Sequence, residues 1–190
     1  MSGRSSIPGG QRVEVVNLQQ RHAVHAAPVL AFALQLKRRL HLGARAFNIC
    51  LVDDDAIRRL NLAYRGRDKA TDVLSFPWTE TREQKPGRVL PRVKQGGITN
   101  FLGEVVISVQ TARRNAEVEG HTLLNEIRWL VLHGVLHLLG YDHERDAGEM
   151  VALELSLRGQ LGIGGPGDVE NKVKSQNAKV KGQKVNPTRS

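Results

Sequence analysis

Three histidines within 11 residues carry the most specific chemical pattern in this chain: His133-Gly134-Val135-Leu136-His137-Leu138-Leu139-Gly140-Tyr141-Asp142-His143. Residues four apart lie on one helix face about 6 Å apart along the axis, so His133 and His137 can present imidazole nitrogens to one ion. Gly140 permits the positive-φ turn that ends such a helix, and the returning chain can bring His143 to the same point as a third ligand. Three neutral nitrogens suit Zn²⁺, one per chain, and leave a fourth position for water, which is the arrangement of a catalytic zinc. A lone histidine on an apolar helix is usually a satisfied core residue; the third histidine just past a glycine turn is what selects the metal.

The spacing is also similar to the peptidase pattern H-E-x-x-H-x-x-G-x-x-H, except that Gly134 stands where the glutamate would be. In those peptidases the glutamate takes the proton from zinc-bound water, so this chain lacks the general base that peptide hydrolysis would use there. Gly134 also costs a buried helix about 1 kcal/mol relative to Ala, which a close backbone approach would justify. Asp142 and Asp146 are candidates to orient a ligand imidazole from behind. Glu126, seven residues before His133, reads as a similar support or as a solvated residue at the helix start.

The helix carrying the pair opens on Thr122 as N-cap and runs through Leu123, Ile127, Leu130, Val131, Val135, Leu138 and Leu139 to Gly140. It is apolar on nearly every side and therefore buried. Upstream, Val13 to Val16 and Phe47 to Val52 read as strands separated by a helix from Val29 to Leu40, which Gly43 could close. Asp53 or Asp54 caps a second helix through Leu60 and Tyr64. Asp72 to Phe76 is a strand stopped by Pro77, and Leu102 to Ser108 is another, followed by a helix to Glu119. A last helix spans Ala147 to Leu161. The expected fold is α+β: a small mixed β-sheet of about four strands covered by helices, with the metal site at the end of a buried central helix.

At 190 residues and 40% hydrophobic content the chain fits one domain that needs no metal merely to stay folded. Residues 1–10 and 163–190 are expected to be disordered, leaving a domain at 11–162; loop 77–100, rich in Pro and Gly, is long enough to expect a functional role. Cys50, the only cysteine, sits among apolar neighbours and excludes a disulfide framework. The uncharged run from Trp129 to Tyr141 is 13 residues, short of the ~20 that a membrane span needs, and Met1 to Gly10 lacks the apolar core of a secretory signal. A cytoplasmic protein is expected. The net charge of +9 favours an anionic partner such as nucleic acid, although +4 of it lies in the tail beyond residue 167.

The phrase His133 to His143 closely resembles the signature of the YbeY-type endoribonuclease family. Arg65-Gly66-Arg67-Asp68-Lys69-Ala70-Thr71-Asp72-Val73-Leu74-Ser75-Phe76-Pro77 resembles that family's second signature, with Ala70 where the family usually has Pro, and Leu102 to Ser108 resembles a third. The resemblance spans about residues 45 to 160. It implies a zinc-dependent, single-strand-specific endoribonuclease, with zinc on His133, His137 and His143 and a catalytic arginine at Arg65. It further implies a role in small-subunit ribosomal RNA 3′-end maturation and ribosome quality control, with the small subunit or its assembly proteins as partners. A guanidinium suits that role because it can clamp a phosphate bidentately and offset developing charge. Arg58, Arg59, Arg67 and Lys69 are candidate RNA contacts beside Arg65, and Arg82, Lys85, Arg88, Arg92 and Lys94 extend the basic set into the long loop. Asp72 and Ser75 are as well suited to fixing their loop as to touching substrate. A zinc peptidase-like hydrolase and a non-catalytic ribosome-assembly factor with a structural zinc are the competing expectations; the oligomeric state leaves no mark on the sequence.

Overall fold

Each run read as a strand pairs into one sheet. A computed structural model of the chain describes residues 13–78, 100–143 and 146–164. In it β1 (Glu14–Asn17), β2 (Ala46–Val52), β3 (Val73–Pro77) and β4 (Phe101–Ser108) lie in the order β1-β2-β4-β3. β2 runs parallel to both β1 and β4, while β3 is antiparallel to β4, so the expected mixed sheet of four strands is present. Pro77 ends β3 as its last residue, on an edge strand that tolerates a missing donor. The expected disordered ends and the basic loop 82–95 fall outside the described residues, apart from Ile163 and Gly164.

Period-two alternation sorts the side chains onto two buried faces. Phe47, Ile49, Leu51, Val105 and Ile107 face one side, under α1 (Ala26–Arg39), α3 (Val109–Glu119), α4 (Leu123–Leu138) and α5 (Glu149–Leu161). Cys50, Val52, Leu74 and Val106 face the other, under Ile57 and Leu60 of α2 (Asp54–Arg65). Every residue of β2 is buried, as a parallel strand covered on both faces must be. The core extends one residue past the expected domain end: Ile163 is 3% exposed, because Gly162 turns left-handed and the Ile163 amide bonds back to Arg158 O.

Helix ends differ from expectation where side chains replace glycine. α1 is closed at His41, not Gly43: Leu42 N bonds Lys37 O and His41 N bonds Arg38 O, a Schellman pair with His41 at the left-handed position (φ 50°). The same helix starts three residues early, at Ala26, because Pro28 fits the first turn where amides have no partner. Asp53 caps α2 by accepting from Ala56 N at 2.8 Å. Asp54 instead accepts from Ser108 Oγ, Thr111 Oγ1 and Arg114, tying the start of α2 to the start of α3. Partial burial acts to raise the Asp54 carboxyl, but these three bonds and the Arg114 charge prevail and hold it below its ordinary value of 3.8.

α4 seats on the sheet at backbone distance. A Cβ on Gly134 would lie 2.5 Å from Val105 Cγ1 and 3.1 Å from Ser75 Oγ, and Ser75 Oγ donates to Gly134 O at 3.1 Å. This is the close approach that justifies a glycine in a buried helix.

Gly134→Ala should lower stability despite its better helix propensity. Overpacking costs roughly 1–3 kcal/mol against about 1 kcal/mol recovered. The urea midpoint should fall, and Val105→Ala in the same chain should restore part of it; a midpoint at or above wild type would contradict the seating. Asp54→Ala should destabilise at neutral pH. Because the native carboxyl titrates below its unfolded value, that deficit persists above about pH 3.8 and disappears as pH falls through the native value, as paired thermal melts would show.

Candidate metal centre

Two turns at the end of α4 put the three histidines together. His133 and His137 lie one turn apart on the helix, edge to face, their ring centroids 4.7 Å apart. Gly140, at φ 95°, then closes the helix: Gly140 N bonds His137 O and Tyr141 N bonds Leu136 O, again a Schellman pair. That reversal sets the His143 ring 5.5 Å from His133 and 5.3 Å from His137. One ligand nitrogen from each of the three lies within 4.8 Å of the other two.

Hydrogen bonding fixes which nitrogens face inward. His133 Nδ1 lies 3.0 Å from Glu154 Oε2 on α5. A carboxylate only accepts, so Nδ1 carries the proton and Nε2 offers its lone pair. His133 Nε2 and His137 Nε2 are 3.1 Å apart. Two lone pairs at that distance repel unless a proton or cation lies against both, and the spacing is close to the ~3.4 Å between two donors of one tetrahedral ion. The donor set fits zinc. Burial lowers the His137 pKa first, and the neighbouring His133 and His143 lower it further, against a hydrogen bond to the Tyr141 backbone and the charge of Asp142. A neutral ring is the form that ligates.

Glu154 is the support that sequence reasoning missed. Its other oxygen accepts from Trp129 Nε1, and the Arg158 guanidinium sits 4.7 Å over the Trp129 ring. Burial pushes the Glu154 carboxyl up, yet the bonds from His133 and Trp129 and the Arg158 charge outweigh it and keep it ionised below the usual glutamate range. The signal was present: on α5, Glu154 lies four residues after Met150 and three before Leu157, on a buried stripe that it shares with one other charged residue, Arg158. Asp146, by contrast, accepts from Gly148 N and Met150 N and so caps α5, while Asp142 acts on His137 through its charge. Glu126 is 1% exposed and pairs with His121 Nε2 at 3.1 Å, so the solvated reading of it is wrong.

The basic residues sit across the sheet from the histidines, at the same end of it. Gly134 packs on Val105 and Leu138 on Gly103, so the C-terminal end of α4 lies over the start of β4. On the opposite face Tyr64 packs edge-on to Phe76, the neighbour of Glu104, so Arg65 ends α2 over the same end of the sheet. α2 and α4 both pack on β3 and β4, one on each face of the sheet. Arg59, Arg65, Arg67 and Lys69 are exposed. Arg58 is not a free cation: it grips Asp68 bidentately at 2.7 and 2.8 Å, pinning loop 66–70 to α2 with help from Asn61 Nδ2, which donates to Lys69 O. Ser75 holds α4, and Asp72 accepts from Val73 N, Thr71 and Asn115, so both fix structure.

Comparison with known proteins agrees with this architecture. A family model described as endoribonuclease YbeY matches residues 15–162. A Myxococcus xanthus protein described as endoribonuclease YbeY is 48% identical over 127 residues, 66% of this chain but 40% of that protein's length. Proteins of the same description from Nautilia profundicola and Moorella thermoacetica are 48% and 42% identical; the matches cover 60% and 66% of this chain and 71% and 75% of theirs. The solution structure of a Thermotoga maritima protein shares the fold, with a TM-score of 0.51 and 22% identity over 94% of this chain and all of that one.

Glu154→Gln should weaken zinc binding by about 10–100-fold without unfolding the chain. An amide cannot accept from both His133 and Trp129, so one bond is lost either way. Competition against a chromogenic chelator measures it; unchanged affinity would remove Glu154 from the centre.

Proposed function

Because the chain belongs to the endoribonuclease YbeY family, we propose that it is a zinc-dependent, single-strand-specific endoribonuclease whose catalytic domain is residues 11–162. Its substrate is ribosomal RNA, its work small-subunit 3′-end maturation and ribosome quality control, its partners the small subunit or its assembly proteins, and its place the cytoplasm. The observation that carries the reading is the pair of inward-facing Nε2 atoms of His133 and His137, 3.1 Å apart, with Glu154 behind them. Among the described residues no helix is long and apolar enough to cross a membrane.

Each part follows from a residue's chemistry. His133, His137 and His143 hold the ion, Glu154 keeping the first in its ligating tautomer and burial keeping the second neutral. When bound, zinc supplies Lewis acidity to a phosphoryl oxygen or to the attacking group. Arg65 clamps the scissile phosphate and offsets charge that develops on it, while Arg59, Arg67 and Lys69 hold the backbone on either side. Arg58 serves that surface indirectly, by holding loop 66–70 in place. Gly134 cannot act as a base, and its seat against Val105 leaves no room for a glutamate, which disfavours the peptidase reading.

Purified wild type should contain one zinc per chain and cut single-stranded ribosomal RNA. Arg65→Ala should lower cleavage by about 10²–10³-fold with zinc retained, and His137→Ala should lose both zinc and cleavage. If wild type binds RNA but cuts no faster than both variants, the chain is an assembly factor and not a nuclease.

A further inference from the structure

A groove of about 560 Å³ opens between the C-terminal ends of α1 and α5, lined by Gln35, Arg38, Arg39, His41, Gln160 and Leu161. Its polar lining consists of two guanidiniums, an imidazole and two amides, with no carboxylate among the described residues that border it. Arg39 Nε donates to Gln160 Oε1, which holds that guanidinium in place and leaves its terminal nitrogens for another acceptor. Cations at a helix C-terminus have an ordinary explanation, since they complement the helix dipole. That explanation covers Arg38, Arg39 and the charge of His41 when protonated, but not the left-handed backbone that His41 adopts. His41 occupies the left-handed position that ends α1 (φ 50°), where Gly is the unstrained choice and a side chain with a Cβ is disfavoured. The turn sets the His41 imidazole on the groove wall beside the two arginines, where it adds a third nitrogen-bearing side chain to the lining.

We infer that this groove is a second RNA-binding site, which takes the phosphodiester backbone of the substrate outside the stretch being cut. The inference rests on RNA being the substrate, as proposed above, and adds where a longer strand is held. The groove is charge-complementary to a polyanion and has the right relation to the metal centre: Gln160 lies six residues beyond Glu154 on α5, about 9 Å along the helix axis. An RNA long enough to leave the centre in that direction meets Arg38, Arg39 and His41 in turn. Few aromatic side chains are available for base stacking in this chain, so phosphate contacts carry the binding, and they are sequence-independent.

The test uses the full chain, treated with chelator so that bound RNA is not cut, and fluorescence anisotropy of a labelled single-stranded oligoribonucleotide across a salt series. Arg38→Gln with Arg39→Gln should weaken binding several-fold and flatten the salt slope by about 1.4, or ~0.7 for each phosphate no longer neutralised. Zinc-loaded, the same variant should cut a short oligonucleotide at the wild-type rate and a long one more slowly. His41→Gly separates function from folding: it should melt at or above the wild-type temperature, because the backbone strain is relieved, yet bind long RNA more weakly. Unchanged affinity and slope in both variants would overturn the inference and leave the groove to helix capping or an acidic protein. Loss of short-substrate cleavage by wild type itself would instead overturn the nuclease reading.

Discussion

The seating of α4 on the sheet at Gly134 is the contact on which the site depends. Without a Cβ at that position the helix backbone reaches Val105 and Ser75 directly, and the depth of that approach sets how far His133 and His137 stand from the sheet. It also decides what chemistry is possible. The residue after the first histidine faces packed side chains, so no carboxylate can project from it toward the ion. The family's nuclease chemistry and the peptidase chemistry of similar spacing thus diverge at one steric fact.

Charge is divided between two helix ends in a way that suits a phosphodiester. The ion would sit at the C-terminal end of α4, where the unpaired carbonyls amount to roughly half a negative charge and stabilise a cation. The ion's own charge exceeds that field and would attract a phosphate. Further positive groups come from the end of α2 around Arg65, on the other face of the sheet at the same end. Asp68 pairs with one of those cations, Arg58, in fixing the loop that carries Arg67 and Lys69, and the other four basic residues from Arg59 to Lys69 are exposed.

What the sequence disclosed follows the range of the interactions involved. The histidine cluster was legible because its members are local: an i, i+4 pair and a glycine reversal need only helix geometry. The strands and their mixed sheet were legible from short apolar runs, to within a residue or so at each end. Glu154 was not, since it reaches His133 from 21 positions away on another helix and looks in isolation like one more charged residue. The end of α1 was misassigned because a glycine two residues later offered the usual stop, while the chain puts His41 in the left-handed turn. Asp142 and Asp146 drew attention by proximity in sequence, but the Asp146 carboxylate is spent on the amides of Gly148 and Met150. Proximity along the chain found the three histidines and missed what holds the first of them.

α5 joins these features mechanically. One of its faces delivers Glu154 to His133 and Trp129, another delivers Gln160 to Arg39 on α1, and Met150, Leu157 and Leu161 fix the helix in the core between them. A rigid helix cannot move one of these side chains without moving the other. Displacement of α5 by a strand lying in the α1 groove would then be felt at the carboxylate behind His133. Tight packing at Met150, which is fully buried, resists that displacement and keeps the two sites at a fixed separation. The geometry therefore favours a ruler over a switch: an RNA held at the groove would enter the centre at a set distance, with His133 kept where Glu154 puts it.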